Sequence, residues 1–124
     1  MDKELVMYTR TSGCPFVTLA KRVLIAHDVP YREIFIDQDM TARERVLKWT
    51  GFLAVPTLVI ANFGEDLPYA EPDFLPAGDT PRGIDRGAML TEPGMDKLKE
   101  WLQGHGFIAH DIEDSTVNQS VSAD

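Results

Sequence analysis

The sequence predicts an α/β domain, and three observations predict it. Short apolar strands alternate with helix-period segments in the order β-α-β-α-β between residues 5 and 60. A proline-rich stretch at 62–83 with neither period separates them from one more strand candidate and one more helix. The chain's single cysteine falls where the first strand gives way to the first helix.

Leu5-Val6-Met7-Tyr8-Thr9 is short, apolar and β-branched or aromatic, and polar residues and Gly13 stop it, which predicts a buried strand. Pro15 suits the first turn of a helix, where its missing N–H leaves no bond unmade. From Phe16 onward Leu19, Ala20, Val23 and Leu24 recur on one helix face, and Lys21 and Arg22 fall off it. Pro30 excludes Val29 from helical space, so the helix ends near Asp28. Tyr31 to Asp37 predicts a second strand, and its Ile34-Phe35-Ile36 run suits one covered on both faces.

Thr41-Ala42-Arg43-Glu44 has the pattern of a capping box opening a second helix through Val46, Leu47 and Trp49, with Gly51 as its left-handed stop. Val55 to Ile60 predicts a third strand, entered through Pro56. Strands joined through a helix are expected to run parallel. Residues 62–83 hold four prolines, three glycines and five acids, and a connection this long in a small domain is either functional or disordered. Its Phe63, Tyr69 and Phe74 suit a lid or docking surface, or else pin a solvated excursion. Ile84 to Leu90 is a weaker strand candidate. Met95, Leu98, Trp101 and Leu102 mark a last helix that ends at Gly104. The domain therefore spans 1–108, with 109–124 as an acidic, disordered tail.

The 124 residues are enough for one core without disulfides or metal. A net charge of −8 argues against nucleic acid and anionic membrane as partners; half of it sits in 109–124, which carry four acids and no Lys or Arg. No apolar run is long enough to cross a membrane, and a lone cysteine cannot form an internal disulfide, so a reducing cytoplasm is expected. His27, His105 and His110 lack metal-ligand spacing and read as surface or helix-end residues, and Trp49 and Trp101 read as core. There is no Gly-rich phosphate loop and no carboxylate pair with acid–base spacing.

Cys14 immediately precedes Pro15 and so falls at or near the N-cap of the first helix. A helix N-terminus presents unpaired N–H groups and about half a positive charge, which stabilises a thiolate, the attacking species in disulfide exchange. Arg10 is a candidate second positive group. A lone cysteine is usually a buried structural thiol; the loop position and the flanking Thr11-Ser12-Gly13 favour an exposed, reactive one.

Val6-Met7-Tyr8-Thr9-Arg10, Gly13-Cys14-Pro15-Phe16 and Val55-Pro56-Thr57 together resemble the glutaredoxin family over residues 4–61, with a looser likeness over 84–104. The resemblance implies a thioredoxin-like, three-layer α/β/α fold: a four-stranded mixed sheet with about three helices and a long insert between strands 3 and 4. It implies Cys14 as nucleophile, a cis peptide at Pro56 beside it, and Val55-Pro56 as the edge along which a substrate aligns. Arg10, Pro15, Phe16 and Thr91 complete the implied substrate- or thiol-binding set.

Two departures shape the expected chemistry. The motif reads Cys14-Pro15-Phe16-Val17, so valine stands where a second cysteine would resolve a mixed disulfide, leaving a monothiol route. The family's Gly-Gly turn before the last helix is replaced by Gly87-Ala88-Met89-Leu90-Thr91-Glu92-Pro93, where Thr91 and the helix N-terminus suit a carboxylate but Glu92 repels one, an argument against glutathione.

Three functions follow as expectations. The leading one is monothiol exchange with a disulfide-containing protein or a small-thiol mixed disulfide, glutathione or another low-molecular-weight thiol acting as co-reactant and the protein working as a monomer. The second is carriage of a 2Fe-2S cluster in a cysteine- and thiol-bridged dimer, against which Pro15 stands where cluster-carrying relatives have glycine. The third is a non-catalytic module that binds partners through the insert.

Overall fold

The computed structural model describes residues 2–109. The elements are β1 (Lys3–Thr9), α1 (Pro15–Ala26), β2 (Tyr31–Phe35), α2 (Met40–Thr50), β3 (Thr57–Asn62), β4 (Met89–Thr91) and α3 (Met95–Gly104). The strands form one mixed sheet in the order β2-β1-β3-β4. α1 and α3 pack against each other, while α2 lies on the face where Tyr8 meets Trp49 edge-on, with ring centroids 5.2 Å apart. The fold is thioredoxin-like.

β1 and β2 pair in parallel, as two strands joined through a helix should. β3 does not follow that rule: it runs antiparallel to β1, with Tyr8 opposite Thr57 and Lys3 opposite Asn62. β2 ends opposite Thr9, and β3 starts opposite Tyr8, at the same end of the sheet. α2 therefore carries the chain sideways over β1 instead of down the strands' length, and the next strand reverses. The reversal has a functional consequence: the C-terminal end of β1, which leads to Cys14, meets the N-terminal entry to β3, which carries Val55-Pro56.

Burial follows sheet position. β1 and β3 are central, and Leu5–Tyr8 and Leu58–Ala61 are buried without a break. β2 is an edge strand and half-buried along its whole length, against the expectation that its apolar run is covered on both faces. Only Ile36, just past its end and bonded through its N–H to the Thr9 carbonyl at 2.8 Å, is buried.

Helix ends obey local chemistry. Cys14 is the N-cap of α1 in extended conformation, and Val17, Ala20, Val23 and Leu24 form the buried face. α2 begins before the Thr41 box: Asp39 is the N-cap, its carboxylate accepting from the Ala42 N–H at 3.1 Å. Aspartate caps as well as threonine does and stands first in the chain. Gly51 ends α2 at φ 80°, its N–H donating to the Leu47 carbonyl at 2.8 Å. His27 and His105 are the C-caps of α1 and α3; His110 and the tail expected from 109 onward lie, apart from Ala109, outside the described residues. Trp101 is 2% exposed, whereas Trp49 is only half-buried.

The connection between β3 and β4 is longer than the sequence suggests. Only Met89–Thr91 forms a strand; Ile84 to Gly87 is a turn in which the Asp85 carboxylate accepts from the Gly87 N–H at 2.9 Å and Gly87 sits at φ 81°. Its aromatics do not pin it, Phe63 and Tyr69 being exposed and Phe74 87% exposed. Polar anchors hold it instead. Arg32 on β2 donates to the Asp66 carboxylate at 2.9 Å and to the Glu65 carbonyl at 2.8 Å, while Glu4 accepts from Arg32 and from the Gly64 N–H. Buried Arg86 donates to the carbonyls of Asp73 at 2.8 Å and Trp49 at 2.7 Å, joining the connection to the last turn of α2. Burial pushes the Arg86 pKa below its ordinary value, opposed by the nearby Asp73 carboxylate. The Trp101 indole N–H donates to the Gly87 carbonyl at 2.8 Å. The segment then runs along the outer edge of β4, where Arg82 pairs with Thr91 in parallel and the Gly83 N–H donates to the Thr91 carbonyl at 2.7 Å.

Thr57, buried at the start of β3, donates its hydroxyl to the Ala54 carbonyl at 2.9 Å and lies 3.1 Å from the Thr91 hydroxyl. Two stability predictions follow from these buried polar groups. Arg86→Met strands two carbonyls without their donor; it should lower the unfolding free energy by about 1–3 kcal/mol and open residues 63–88 to limited proteolysis. Thr57→Val keeps the volume but unpairs Ala54 O and the Thr91 hydroxyl, a loss of about 1–3 kcal/mol in urea unfolding. An unchanged urea midpoint and slope in either variant would contradict the role given to that residue.

Candidate functional site

Cys14 sits where two loops converge. The first, residues 10–14, leaves β1 and is tied to the end of β2: the Thr11 N–H donates to the Asp37 carboxylate at 3.2 Å, and the Thr11 hydroxyl donates to the same group. That hydroxyl holds the Asp37 carboxyl below its ordinary pKa, with smaller help from the Thr11 amide and the Arg10 charge. Arg10 itself is exposed and bonds no carboxylate among the described residues; its charge acts on Asp37.

The second loop, residues 51–56, brings in Val55 and Pro56 through a cis peptide bond. The half-buried Cys14 thiol donates to the Val55 carbonyl, Sγ to O 3.7 Å. This loop is clamped from both sides. The Phe52 N–H donates to the Thr50 hydroxyl at 3.1 Å, Thr57 holds the Ala54 carbonyl, and the Glu92 N–H donates to the Pro56 carbonyl at 2.8 Å. Val55 precedes the first paired residue of β3, so its main chain stands outside the sheet ladder. The side chain of Cys14 caps nothing. The free amides at the start of α1 are therefore available to an anionic sulfur.

The other residues expected from sequence divide. Pro15 and half-exposed Phe16 open α1 next to the thiol. Thr91 departs from its expected part: it is 0% exposed, and its hydroxyl faces that of Thr57, because β4 pairs with β3 through this residue and turns its side chain inward. It positions the loop clamp and is closed to a ligand. Val17, one turn into α1, is 7% exposed and part of the core.

A cleft of about 280 Å³ is lined by Phe52, Leu53 and Ala54 from the loop that precedes Val55 and by Thr80, Pro81, Arg82 and Glu92. The Arg82 guanidinium lies over the Phe16 ring, 4.9 Å from its centre, and its Nε donates to the Glu92 carboxylate at 3.3 Å. Glu92 adopts φ 45°, a left-handed conformation that few non-glycine residues take and that is concentrated at functional sites. The expected repulsion of a carboxylate by Glu92 is thus answered by a cation from the connection. Sequence reasoning missed Arg82 because it is a lone base among acids and prolines, with no period to place it. It missed Asp37 and Thr57 because both work through contacts that only the folded sheet creates.

Among the described residues no three His, Cys, Asp or Glu side chains cluster to hold a metal ion, and no helix is long and apolar enough to cross a membrane. A 2Fe-2S cluster takes four ligands, and with one cysteine each protomer supplies a single thiolate.

The glutaredoxin family model matches residues 5–63, the stretch that holds β1, α1, β2, α2, the Val55-Pro56 loop and β3. A comparison with curated proteins finds no match. The family whose model matches residues 5–63, just under half of the chain, is one of thiol–disulfide redox proteins.

Proposed function

We propose that the protein exchanges mixed disulfides by a monothiol route through Cys14. The observation that carries this reading is the contact between a half-buried thiol at the N-cap of α1 and the Val55 carbonyl beside Pro56, in a chain with no second cysteine. In the first step the Cys14 thiolate attacks one sulfur of a disulfide R–S–S–R′. A Cys14–S–S–R bond forms, the S–S bond of the substrate breaks, and R′S⁻ leaves and takes up a proton. In the second, the thiolate of an external low-molecular-weight thiol, glutathione or another, attacks the R sulfur. It leaves as a new disulfide with R and restores the Cys14 thiolate, so each cycle consumes one thiol and releases another. Val17 offers no internal alternative.

The amides of the first turn of α1 stabilise the thiolate in both its attacking and leaving roles. The main chain of Val55, outside the ladder of β3, gives an extended substrate a place to align. A reducing cytoplasm fits the scheme, because it keeps Cys14 reduced between cycles. The substrate is a disulfide-containing protein or a small-thiol mixed disulfide, met by a monomer.

Mass spectrometry tests the reading directly. Incubation with excess 2-hydroxyethyl disulfide should add one hydroxyethylthio group per chain, located on Cys14, and a free thiol should remove it. Cys14→Ser should gain no mass. Failure of the wild-type chain to form the adduct, or an adduct that no thiol releases, defeats the proposal.

A further inference from the structure

We infer that Arg82 determines which disulfides Cys14 acts on, selecting those whose leaving or retained thiol carries a carboxylate. The inference rests on the exchange reading above and adds to it a residue outside the matched stretch, which ends at 63. Arg82 arrives by the connection between β3 and β4, held against β4 by its pairing with Thr91. Three features make it a recognition group and not a surface ion pair.

Its position is the first. Arg82 and Glu92 line the same cleft as Phe52, Leu53 and Ala54, and Ala54 adjoins the residue whose carbonyl meets the thiol. A small molecule with its sulfur at Cys14 has this cleft, with its apolar and charged lining, one residue beyond Val55.

The second is unspent donor capacity. Arg82 commits only Nε, in one 3.3 Å bond to Glu92, and its side chain remains 59% exposed. Both terminal nitrogens are without a hydrogen-bond partner among the described residues, while the guanidinium carbon lies over the Phe16 ring. A guanidinium with both terminal nitrogens free presents the two parallel donors that a carboxylate accepts.

The third is the conformation of Glu92. A left-handed backbone at a non-glycine residue is disfavoured and is concentrated at functional sites. Glutamate at 92 keeps its carboxylate on Nε, where it orients the fork and balances the cleft's charge when no substrate is bound. It also supplies a counter-charge for an ammonium group on the same ligand.

The test compares rates of exchange with three symmetrical disulfides: those of 3-mercaptopropionate (anionic), 2-mercaptoethanol (neutral) and cysteamine (cationic). The readout is the ratio of kcat/KM for the anionic to that for the cationic substrate. Arg82→Gln should lower this ratio by about five- to tenfold, the scale of a partly exposed charge-assisted contact. Arg82→Glu should lower it further, towards preference for the cationic substrate. Arg82→Lys should retain part of the preference, and Glu92→Gln should raise the ratio by removing the internal competitor. Arg82 is exposed, so the variants should melt with the wild-type chain. A ratio that stays the same across wild type, Arg82→Gln and Arg82→Glu overturns the inference while leaving exchange through Cys14 intact. Absence of reaction with all three substrates in the wild-type chain overturns the exchange reading, and this inference with it.

Discussion

The buried hydroxyl of Thr57 ties together, from inside the sheet, two segments that the pairing of β3 with β4 brings side by side. One bond reaches back to the Ala54 carbonyl and fixes the turn that carries Val55 and Pro56; the other contact reaches the Thr91 hydroxyl and fixes the end of β4. From there the chain passes to Glu92, whose N–H holds the Pro56 carbonyl and whose carboxylate holds Arg82. The Val55 carbonyl that receives the Cys14 thiol is therefore located by a relay that starts at one threonine in the sheet. Such a relay works because it is buried: an unsatisfied hydroxyl or carbonyl there has no water to turn to.

The same economy explains the long connection. Residues 63–88 bury few large side chains and leave Phe74 in solvent, yet they follow a defined path. Arg32 and Glu4 hold the segment where it leaves the sheet, Arg86 holds it against the C-terminal turn of α2, and the edge of β4 holds its last part. Arginine suits this work because it keeps its charge when desolvated and satisfies several carbonyls from one planar group. The path passes the cleft that Ala54 and Arg82 line, so the anchors far from the thiol set where Arg82 can stand.

How much of this was legible in the sequence depended on how local its cause was. Cys14 with Pro15, and Gly51 after α2, announce themselves within four residues, and the helical spacing of Leu98, Trp101 and Leu102 is as plain. The direction of β3 was not legible, because it depends on whether α2 runs along the strands or across them, and an eleven-residue helix can do either. The Thr41 box was a real pattern defeated by an equally good cap two residues earlier, at Asp39. Thr91 read as a binding residue because it stands in the stretch that corresponds to the family's ligand-binding turn, and the partner that buries its hydroxyl lies thirty-four positions away. Arg82 and Arg86 had no local signature; each acquires its meaning from a carbonyl, a ring or a carboxylate brought near by the sheet.

Val17 gives the site its temporal character. Its isopropyl group fills the core one turn after Cys14, so the space a resolving sulfur would take is spent on packing. Under the exchange reading, resolution is then a second-order encounter. The lifetime of the Cys14 adduct is inversely proportional to the concentration of external thiol, through a rate constant that the site sets. A dithiol site sets its own clock; this one is set by its surroundings, and the fraction of chains carrying an adduct at any moment reports the balance between disulfide supply and free thiol in the compartment.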